Sequence, residues 1–317
     1  MSLSIASLNS GSNGNCYYIG NDREAILIDA GLSCREIERR MERMGLSIGL
    51  VRGIFISHEH DDHIRGVEVL SKRHQIPVHI SDATLRGGSL SLDKRLVRGL
   101  DGVVAVGDLR VTAFSKAHDA SDPCSFVVAS DAVCIGVFTD IGVVCDNLIR
   151  HFMLCHAVFL ETNYDEDMLE QGRYPYPLKR RIRGGQGHLS NRQALELFID
   201  YRPPYLSHVL LAHLSQDNNR PELAQSLFEA QARGTEVVVA SRYQETGVFV
   251  IDGTHHGVAG PRWNTEGAVI RGVVPVEPMP VVQSLPVSAA AMRRRKALAS
   301  KAAAAAIQIT LFNQDPC

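Results

Sequence analysis

The stretch "FISHEHDDHIRG", Phe55–Gly66, contains six consecutive ionisable residues, three histidines and three carboxylates, from His58 to His63. They follow the apolar run "GIFI", which is typical of a buried strand. In a short loop after a strand, alternate residues point the same way, so His58 and His60 can bind one ion. Asp62 and His63 come after the turn and can face a second ion nearby. The sequence therefore predicts a metal site at the end of a strand.

The donor atoms in this loop indicate which metals fit. Imidazole nitrogen and carboxylate oxygen suit zinc, manganese or iron, and the loop has no cysteine that would favour a purely structural zinc site. The alternative is a solvated loop of charged residues. Three histidines so close together would repel one another when protonated and gain nothing without a metal, so we favour the metal site.

Further ligands are available where three other apolar runs end. His118 follows "VTAFSKA", Asp140 follows "CIGVFT", and His213 follows "SHVLLA". Each residue closes an apolar run and opens a polar loop. A single polar residue in such a loop is common, but all three together with an H-x-H-x-D-H loop are not readily explained by accident.

The pattern of apolar runs predicts a layered α/β architecture. Residues 3–8 and "CYYIG" flank the turn "NSGSNGN" and predict a hairpin. A helix is predicted from Ser33, as N-cap with Glu36 three residues later, to Gly45. Two clusters of strands flanked by helices follow, up to residue 252.

The composition changes after Asp252. Glycine, proline and valine dominate residues 253–288 without a clear period, and the sequence ends with "AAAMRRRKALASKAAAAAIQITLFNQDPC". This part carries seven Lys/Arg against three Asp/Glu. We predict two parts, a folded domain at 1–252 and a low-complexity, basic, disordered C-terminal tail at 253–317.

The whole chain of 317 residues is 45% hydrophobic and 21% charged, which is enough apolar material for a sizeable core. Its net charge of −2 argues against a strongly basic nucleic-acid-binding protein. No apolar run reaches the length of a membrane span, and the first residues do not resemble a signal peptide. Seven cysteines occur singly, which indicates reduced thiols in a cytoplasmic protein.

The H-x-H-x-D-H loop, followed in order by His, Asp and His, resembles the metallo-β-lactamase fold hydrolases over roughly residues 1–252. The resemblance implies a four-layer αββα sandwich with two divalent metal ions, Zn²⁺ or Mn²⁺, between the sheets. Such an ion pair, ~3.5–4 Å apart, activates water at neutral pH and clamps both sides of an in-line displacement. The residues that match the family ligands are His58, His60 and His118 for the first metal, Asp62, His63 and His213 for the second, and Asp140 between them.

Two acids of the loop are not ligands in this pattern. Glu59 and Asp61 could orient the histidines from outside the metal shell, or they could simply be exposed. We favour exposure for Asp61 and leave both possibilities open for Glu59.

Two further residues match catalytic positions of nucleases with this fold. Glu161 ends the strand in "LETNYD", and His188 in "GGQGHLSN" precedes a helix capped by Ser190 or Asn191. The resemblance implies that they assist protonation of the leaving group, since a histidine kept charged by a glutamate can supply the proton. Together with Asp62, they are the predicted catalytic residues. Without the resemblance, a surface glutamate and a helix-entry histidine would be the simpler interpretation.

A cluster of basic residues precedes His188. It comprises Lys179, Arg180, Arg181 and Arg183. A compact basic patch that leads into a reactive loop suits a nucleic-acid backbone. A solvated basic helix face accounts for the cluster equally well.

Several longer motifs, among them "SLNSGSNGNCYYI", "ISHEHDDHIRG", "AHDASDPCSF" and "LAHLSQDNN", resemble the YycJ group, also called WalJ or VicX. The resemblance implies a DNA 5′→3′ exonuclease linked to repair or replication. The chain has no inserted β-CASP domain and no long arm of the kind that tRNA-processing members use, so RNA-processing nucleases fit less well.

Two loops are predicted to contact the substrate. The loop Ser10–Asn15 is turn chemistry with a favoured Asn-Gly pair, and it could also offer Ser10, Ser12, Asn13 and Asn15 to a terminal phosphate. The segment Ser215–Asn219 follows His213, and we expect it to cap a helix whose N-terminus receives phosphate. Its predicted binding residues are Ser215, Asn218 and Asn219.

Three other functions remain open. An RNA-processing endonuclease of the tRNA 3′-end type and a glyoxalase-II-like thioesterase or lactonase share the metal pattern. The basic patch and the Glu161–His188 pair argue against the thioesterase. A non-catalytic protein with a structural metal is the third, and the complete ligand set argues against it.

The C-terminal tail ends with the apolar segment "QITLF", Gln308–Phe312. It resembles the pentapeptide by which bacterial repair and replication proteins bind the sliding clamp, where the glutamine and the Leu-Phe pair fill neighbouring pockets. The resemblance implies that Gln308, Leu311 and Phe312 bind the clamp. Ile309 departs from the usual leucine, and an end of the chain without function is the alternative.

Overall fold

Two seven-stranded sheets lie at the centre of the computed structural model, which describes residues 2–263 and 269–271. The strands in chain order are β1 Leu3–Asn9, β2 Cys16–Gly20, β3 Ala25–Ile28, β4 Val51–Phe55, β5 Val78–His79, β6 Val97–Arg98, β7 Val103–Val106, β8 Leu109–Ser115, β9 Cys124–Ala129, β10 Cys134–Phe138, β11 Ala157–Glu161, β12 His208–Ala212, β13 Glu236–Val239, β14 Phe249–Ile251, β15 Thr254–His255, β16 Val258–Ala259, β17 Arg262–Trp263 and β18 Val269–Arg271.

The helices lie outside these sheets and are mostly short. In chain order they are α1 Cys34–Arg43, α2 Asp61–Ile64, α3 Val67–His74, α4 Asp82–Gly87, α5 Asp146–Phe152, α6 Glu166–Gln171, α7 Tyr176–Ile182, α8 Asn191–Tyr201 and α9 Pro221–Glu229, with a 3₁₀ helix at Ile48–Leu50. None of the helices in the described part of the chain has the length and apolar character that a membrane span requires.

The first sheet has the order β14-β1-β2-β3-β4-β5-β6, and the second has the order β13-β12-β11-β10-β9-β8-β7. Strands β3 to β6 run parallel, as do strands β10 to β13. Of the strands in the first sheet, β14 comes last along the chain, yet it pairs with β1 and forms the edge of that sheet. Each sheet therefore has a parallel half whose strands end at the same edge.

Apolar clusters on both faces of each sheet define the layers. One cluster joins the first sheet to α1 and α3, and another joins the second sheet to α5, α8 and α9. A third cluster lies between the sheets and contains residues from both, such as Phe55 and Phe159. The predicted four-layer αββα sandwich is confirmed.

The near-continuous apolar runs of the sequence follow from this layering. In β10, Ile135 and Val137 face the other sheet, whereas Cys134 and Phe138 face the helices. Because successive side chains alternate between the two faces and both faces are covered, every position in such a strand is apolar.

Local helix signals in the sequence are largely confirmed. The hydroxyl of Ser33 accepts a hydrogen bond from the Glu36 N–H at the start of α1. Ser190 begins α8 with a full capping box that includes Gln193. The expected cap from Ser215–Asn219 is wrong, because α9 starts at Pro221 with Arg220 before it and has no side-chain cap.

Packing continues beyond residue 252 in the described part of the chain. The β15–β16 pair follows directly, and Trp263 is buried against the cluster of the second sheet and its helices. The division at residue 252 stays a prediction, and these contacts show that folded structure extends at least to Trp263. Residues 264–268 and 272–317 of the predicted disordered tail, which include the segment Gln308–Phe312, lie outside the described residues.

Candidate metal centre

The predicted ligands come together where the parallel strands end. Asp29 follows β3 and His58 follows β4 in the first sheet, while Asp140 follows β10, Glu161 ends β11 and His213 follows β12 in the second. Carboxyl ends of neighbouring parallel strands meet at one edge of a sheet, which is where α/β proteins place ligand sites. Because the sheets face each other, the two sets of residues meet.

The first group consists of His58, His60 and His118, whose ligand atoms lie within 4.8 Å of one another. His58 Nε2 lies 3.0 Å from His60 Nδ1, and His118 Nε2 lies 3.4 Å from the same atom. Burial lowers the pKa of His58 well below its usual range and that of His118 to about 4. These imidazoles are therefore neutral at pH 7, the form that binds metals.

The second group consists of Asp62, His63 and His213, again within 4.8 Å. Asp62 Oδ2 lies 3.5 Å from His63 Nε2 and 3.6 Å from His213 Nε2. The structure thus brings together the two ligand sets that the sequence predicts, although their residues are separated by up to 155 positions in the numbering, from His58 to His213.

Asp140 lies between the two groups. Its carboxylate is 3.3 Å from His63 Nε2, 3.3 Å from His213 Nδ1 and 3.9 Å from His118 Nε2. Burial acts to raise the pKa of Asp140, but the neighbouring His213 and His63 outweigh it and hold the pKa well below its usual range. Its position fits the predicted bridge, and the bridging role itself stays a prediction.

The residues at this centre fit divalent cations. Asp140 Oδ2 and His213 Nε2 are buried and have no hydrogen-bond partner among the described residues. Leaving buried polar atoms without a partner costs about 1–3 kcal/mol each, so such atoms indicate a missing ligand. The donor set of imidazole nitrogens and carboxylate oxygens is one that zinc and manganese accept.

Asp29, which is not among the residues predicted from the sequence, orients one of the candidate ligands. Its Oδ2 accepts a hydrogen bond from His63 Nδ1 at 2.7 Å, which leaves His63 Nε2 to face the centre. Asp29 also accepts from the N–H and the hydroxyl of Ser57, both at 2.8 Å. The available signal was its place at the end of an apolar run, the same signal that identified Asp140.

We expect Asp29→Asn to lower the metal affinity of the centre by about tenfold or more, as removal of such outer partners of ligating histidines does. The change keeps the side-chain volume but removes the charge that fixes His63. Competition with a chromophoric chelator measures the effect. Asp61→Asn is the control, because the Asp61 side chain is 75% exposed. Equal affinities of both variants and the wild type would contradict the role of Asp29.

Two residues predicted to bind substrate instead support the ligands. Asn15 is fully buried and donates from Nδ2 to Asp62 Oδ2 at 3.0 Å. The hydroxyl of Ser10, also buried, accepts from the His213 N–H at 2.8 Å. Ser12 and Asn13, in contrast, are exposed.

Gly31 shows how closely the backbone approaches the H-x-H-x-D-H loop. A Cβ atom at this position would lie 1.7 Å from the Asp62 carbonyl oxygen and 2.6 Å from the Asn15 nitrogen. Any side chain here would displace the backbone of a ligand, so only glycine fits.

Glu161 and His188 form the predicted pair. Glu161 is fully buried, and its Oε1 lies 2.8 Å from His188 Nδ1. Burial acts to raise the pKa of Glu161, but the charge of His188 and the hydrogen bonds outweigh it and lower the pKa to about 2. The same oxygen lies 3.0 Å from His213 Nδ1. Glu161 therefore contacts a predicted metal ligand as well as His188.

The basic cluster lies largely on α7 and is mostly paired. Arg181 donates to Asp119 at 2.6 Å, and Asp119 in turn lies 3.5 Å from His118 Nε2. Lys179 and Arg183 both contact Glu170. Arg180 is exposed and has no ion pair within the described residues. The cluster is thus adjacent to the centre, but its charge is partly neutralised.

The segment Ser215–Asn219, which follows His213, is held by hydrogen bonds to buried groups. Asn219 is buried and bonds the carbonyl of Thr162 and the side chain of Asn191. Asn218 is buried as well, and its backbone N–H and its side chain donate to the hydroxyl of Ser215. Substrate binding by these residues stays a prediction, and Ser215 is the most exposed of them.

The two remaining acids of the loop differ in environment. Glu59 accepts from the N–H and the hydroxyl of Ser121 at 2.7 and 2.6 Å, so it fastens the segment that follows His118. Asp61 is exposed and pairs with Arg65 four residues later on the surface. The interpretation of Asp61 as an exposed residue is confirmed.

Comparisons with known proteins agree with this geometry. The model of the metallo-beta-lactamase superfamily matches residues 10–112. The chain is 36% identical over 229 residues to the exodeoxyribonuclease YycJ of Bacillus anthracis, covering 71% of this chain and 87% of the relative. It is 30% identical over 224 residues to the exodeoxyribonuclease WalJ of Streptococcus pneumoniae D39, covering 68% of this chain and 83% of the relative.

A solved structure shows the same fold. The metallo-beta-lactamase fold protein YhfI of Bacillus subtilis matches with a TM-score of 0.60 and 15% identity, covering 78% of this chain and 99% of YhfI. At this identity the match shows only that the fold is shared. The two exodeoxyribonucleases, in contrast, are similar to this chain in sequence over most of their lengths. The chain belongs to the metallo-beta-lactamase superfamily, in the group that contains YycJ and WalJ.

Proposed function

We propose that the chain is a metal-dependent nuclease that removes nucleotides from the 5′ end of DNA during repair or replication. The observation that carries the proposal is the meeting of the His58 and His63 groups on either side of the buried Asp140. Similarity to two proteins named exodeoxyribonucleases supports DNA as the substrate class.

Two divalent ions, Zn²⁺ or Mn²⁺, fit the donor set. His58, His60 and His118 would hold one, and Asp62, His63 and His213 the other, with Asp140 between them. When bound, such ions neutralise the charge of the phosphodiester and lower the pKa of water, so that water can attack at neutral pH.

In this proposal, His188 would protonate the leaving oxygen. Its Nδ1 is bound to Glu161, so Nε2 is the nitrogen left to meet the substrate. The His188 side chain is 21% exposed, in contrast to the buried Glu161, so it is accessible at the surface of the centre. Proton transfer of this kind contributes typically about 10²–10⁴-fold to a rate.

Cleavage assays test the proposal. Purified protein is incubated with 5′-labelled single- and double-stranded DNA and RNA, with Mn²⁺ or Zn²⁺ added. Release of short 5′ products from DNA is the expected result. Endonucleolytic cleavage of RNA alone would favour the tRNA-processing alternative, and hydrolysis of a chromogenic thioester without cleavage of DNA would favour the thioesterase or lactonase. Bound metal without any hydrolysis would favour a non-catalytic protein.

We also propose that the nuclease domain and the tail have separate tasks. The domain at 1–252 would carry the chemistry in the cytoplasm, and the tail at 253–317 would tether it to a partner. A tethered clamp raises the local concentration of the enzyme at DNA without changing the active site.

We expect the peptide Ala289–Cys317 to bind purified bacterial sliding clamp weakly, with Kd on the order of micromolar, because a short segment must order on binding. Leu311→Ala with Phe312→Ala should abolish this binding, since these side chains would fill the pockets. Isothermal titration calorimetry compares the two peptides. Equal or absent binding of both would leave the tail without this role.

A further inference from the structure

The segment that follows β13 lies against the loop Ser10–Asn15. The Ser241 carbonyl accepts the Ser10 N–H at 3.0 Å, and the Arg242 carbonyl accepts the Asn13 side-chain amide at 2.7 Å. Ser10 in turn bonds the backbone of His213, and Asn15 bonds Asp62. Arg242 therefore lies beside a loop whose residues contact two of the predicted metal ligands, His213 and Asp62.

The positive charge of the Arg242 guanidinium is not neutralised by a carboxylate among the described residues. Among the described residues, its buried Nη1 has no hydrogen-bond partner, and its Nη2 donates to the Ser12 hydroxyl at 3.4 Å. Its Cζ lies 5.9 Å from the centre of the Tyr243 ring, and it forms no ion pair with a carboxylate within the described ranges. This distinguishes Arg242 from Arg181 and Arg183, which have carboxylate partners. A partly desolvated cation without a carboxylate partner attracts an anion more strongly than a solvated one.

The segment around Arg242 is held in place. Arg40, a buried residue of α1, donates to the Tyr243 carbonyl at 3.0 Å and to the Leu8 carbonyl at 2.7 Å. Arg43 forms a bidentate ion pair with Glu245, in which Nε donates to Oε1 at 2.6 Å and Nη2 donates to Oε2 at 2.7 Å. A site fixed in advance loses less entropy when it binds its ligand.

The loop opposite Arg242 offers donors of its own. Ser12 is exposed, and the backbone N–H groups of Ser12 and Asn13 have no acceptor within the described residues. Ser10 and Asn15, at the ends of the loop, are buried and bonded to the ligands, so they are not available. The free donors thus lie in the middle of the loop, on the side of Arg242.

We propose that Arg242, together with Ser12, binds a phosphate group of the nucleic-acid strand next to the one that is cleaved. The inference rests on the proposed nuclease function and names the subsite that would position its substrate. Arginine suits this role because its planar guanidinium can donate two parallel hydrogen bonds to phosphate oxygens. The phosphate is either the terminal 5′-phosphate or an internal one, and the two differ in the test below.

Binding is measured by fluorescence anisotropy with short labelled single-stranded DNA and protein stripped of metal by a chelator, so that no cleavage occurs. Arg242→Gln should raise Kd about tenfold and reduce the slope of log Kd against log salt by about 0.7, the value for one lost contact with a single strand. Arg52→Gln is the matched control, because it removes the same charge from an exposed position. Arg52 lies near the start of β4, whereas His58 follows the end of this strand. The Arg52→Gln variant should leave both quantities unchanged.

A strand with a 5′-hydroxyl distinguishes the two phosphates. If the terminal phosphate is bound, the wild type should bind this strand as weakly as Arg242→Gln binds either strand. If an internal phosphate is bound, Arg242→Gln should weaken both strands equally. Wild-type values of Kd and slope for Arg242→Gln would overturn the proposal, even if the wild type cleaves DNA.

Cleavage assays run alongside separate this proposal from the proposed function. A protein that cleaves no nucleic acid, yet binds DNA in an Arg242-dependent way, would refute the nuclease and retain the phosphate subsite. A wild type that neither cleaves nor binds DNA would refute both.

Discussion

Replacing Asp140 by alanine is expected to lower the nuclease turnover by about 10⁴-fold, equivalent to about 5.5 kcal/mol of activation free energy. The Asp140 carboxylate is buried and lies within 3.9 Å of histidines from both ligand groups, so its loss affects both halves of the centre. Asp62→Ala removes a ligand of the second group, and we expect a comparable loss. Turnover of 5′-labelled DNA with Mn²⁺, together with metal content by mass spectrometry, measures the effect.

Asp61→Ala provides the matched control for both variants. It removes a carboxylate from the same loop as Asp62, but one that is exposed and paired only with Arg65. Near-wild-type activity and metal content are expected for it, and thermal unfolding checks that all variants are folded. An active His63→Ala variant that still binds two metal ions would contradict the two-metal centre.

His188→Ala is expected to lower kcat on DNA by about 10²–10³-fold while the metal content stays unchanged. His188 contacts Glu161 at 2.8 Å and lies 3.8 Å from Asp140, but the predicted ligand set does not need it. A phosphodiester with an acidic phenol as leaving group needs no protonation, so its hydrolysis should be nearly unaffected. The difference between the two substrates identifies a proton donor, which a purely structural residue would not produce.

The control for this variant is His74→Ala. His74 also pairs with a glutamate, Glu38, at 2.6 Å, but on α3 in the outer helical layer. It should leave both activities unchanged. Loss of metal in His188→Ala, or equal losses on both substrates, would refute the role in protonation.

Replacing Glu161 would test proton donation less selectively than replacing His188. Its Oε1 lies 2.8 Å from His188 Nδ1 and 3.0 Å from His213 Nδ1, so its removal would disturb the proton donor and a metal ligand together. The sequence predicts a role for Glu161 only in protonation of the leaving group. The contact with His213 adds a second task, because it orients the ring of a ligand.

Much of the fold and of the candidate ligand set can be predicted from the sequence together with its family resemblance. Strands apolar at every position, as in β10, require cover on both faces and so predict stacked layers. The H-x-H-x-D-H loop and the polar residues at strand ends indicate the candidate ligands, because the carboxyl ends of parallel strands share one edge. Local hydrogen bonds, such as the Ser33 cap, can be predicted because both partners lie within one turn.

Which polar residues of these loops support the centre and which stay exposed depends on how the two sheets pack together. Asn15 and Ser10 occur in a loop that looks open, yet both are buried against ligands. In the sequence, Asp29 resembles any aspartate that ends a strand. Its hydrogen bond with His63, 34 residues later, is seen only in the folded structure. Arg242 is one of many arginines, and only its surroundings show that it lacks a carboxylate partner.

The physical reason is the range of the interactions. Spacing along the chain fixes the direction of neighbouring side chains, so it predicts strands, caps and residues that share a loop. Hydrogen bonds such as that between Ser10 and His213 join residues 203 positions apart, and they form only once the two sheets are packed face to face. That packing leaves Ser10 buried beneath a ligand and Arg242 beside the loop without a carboxylate partner.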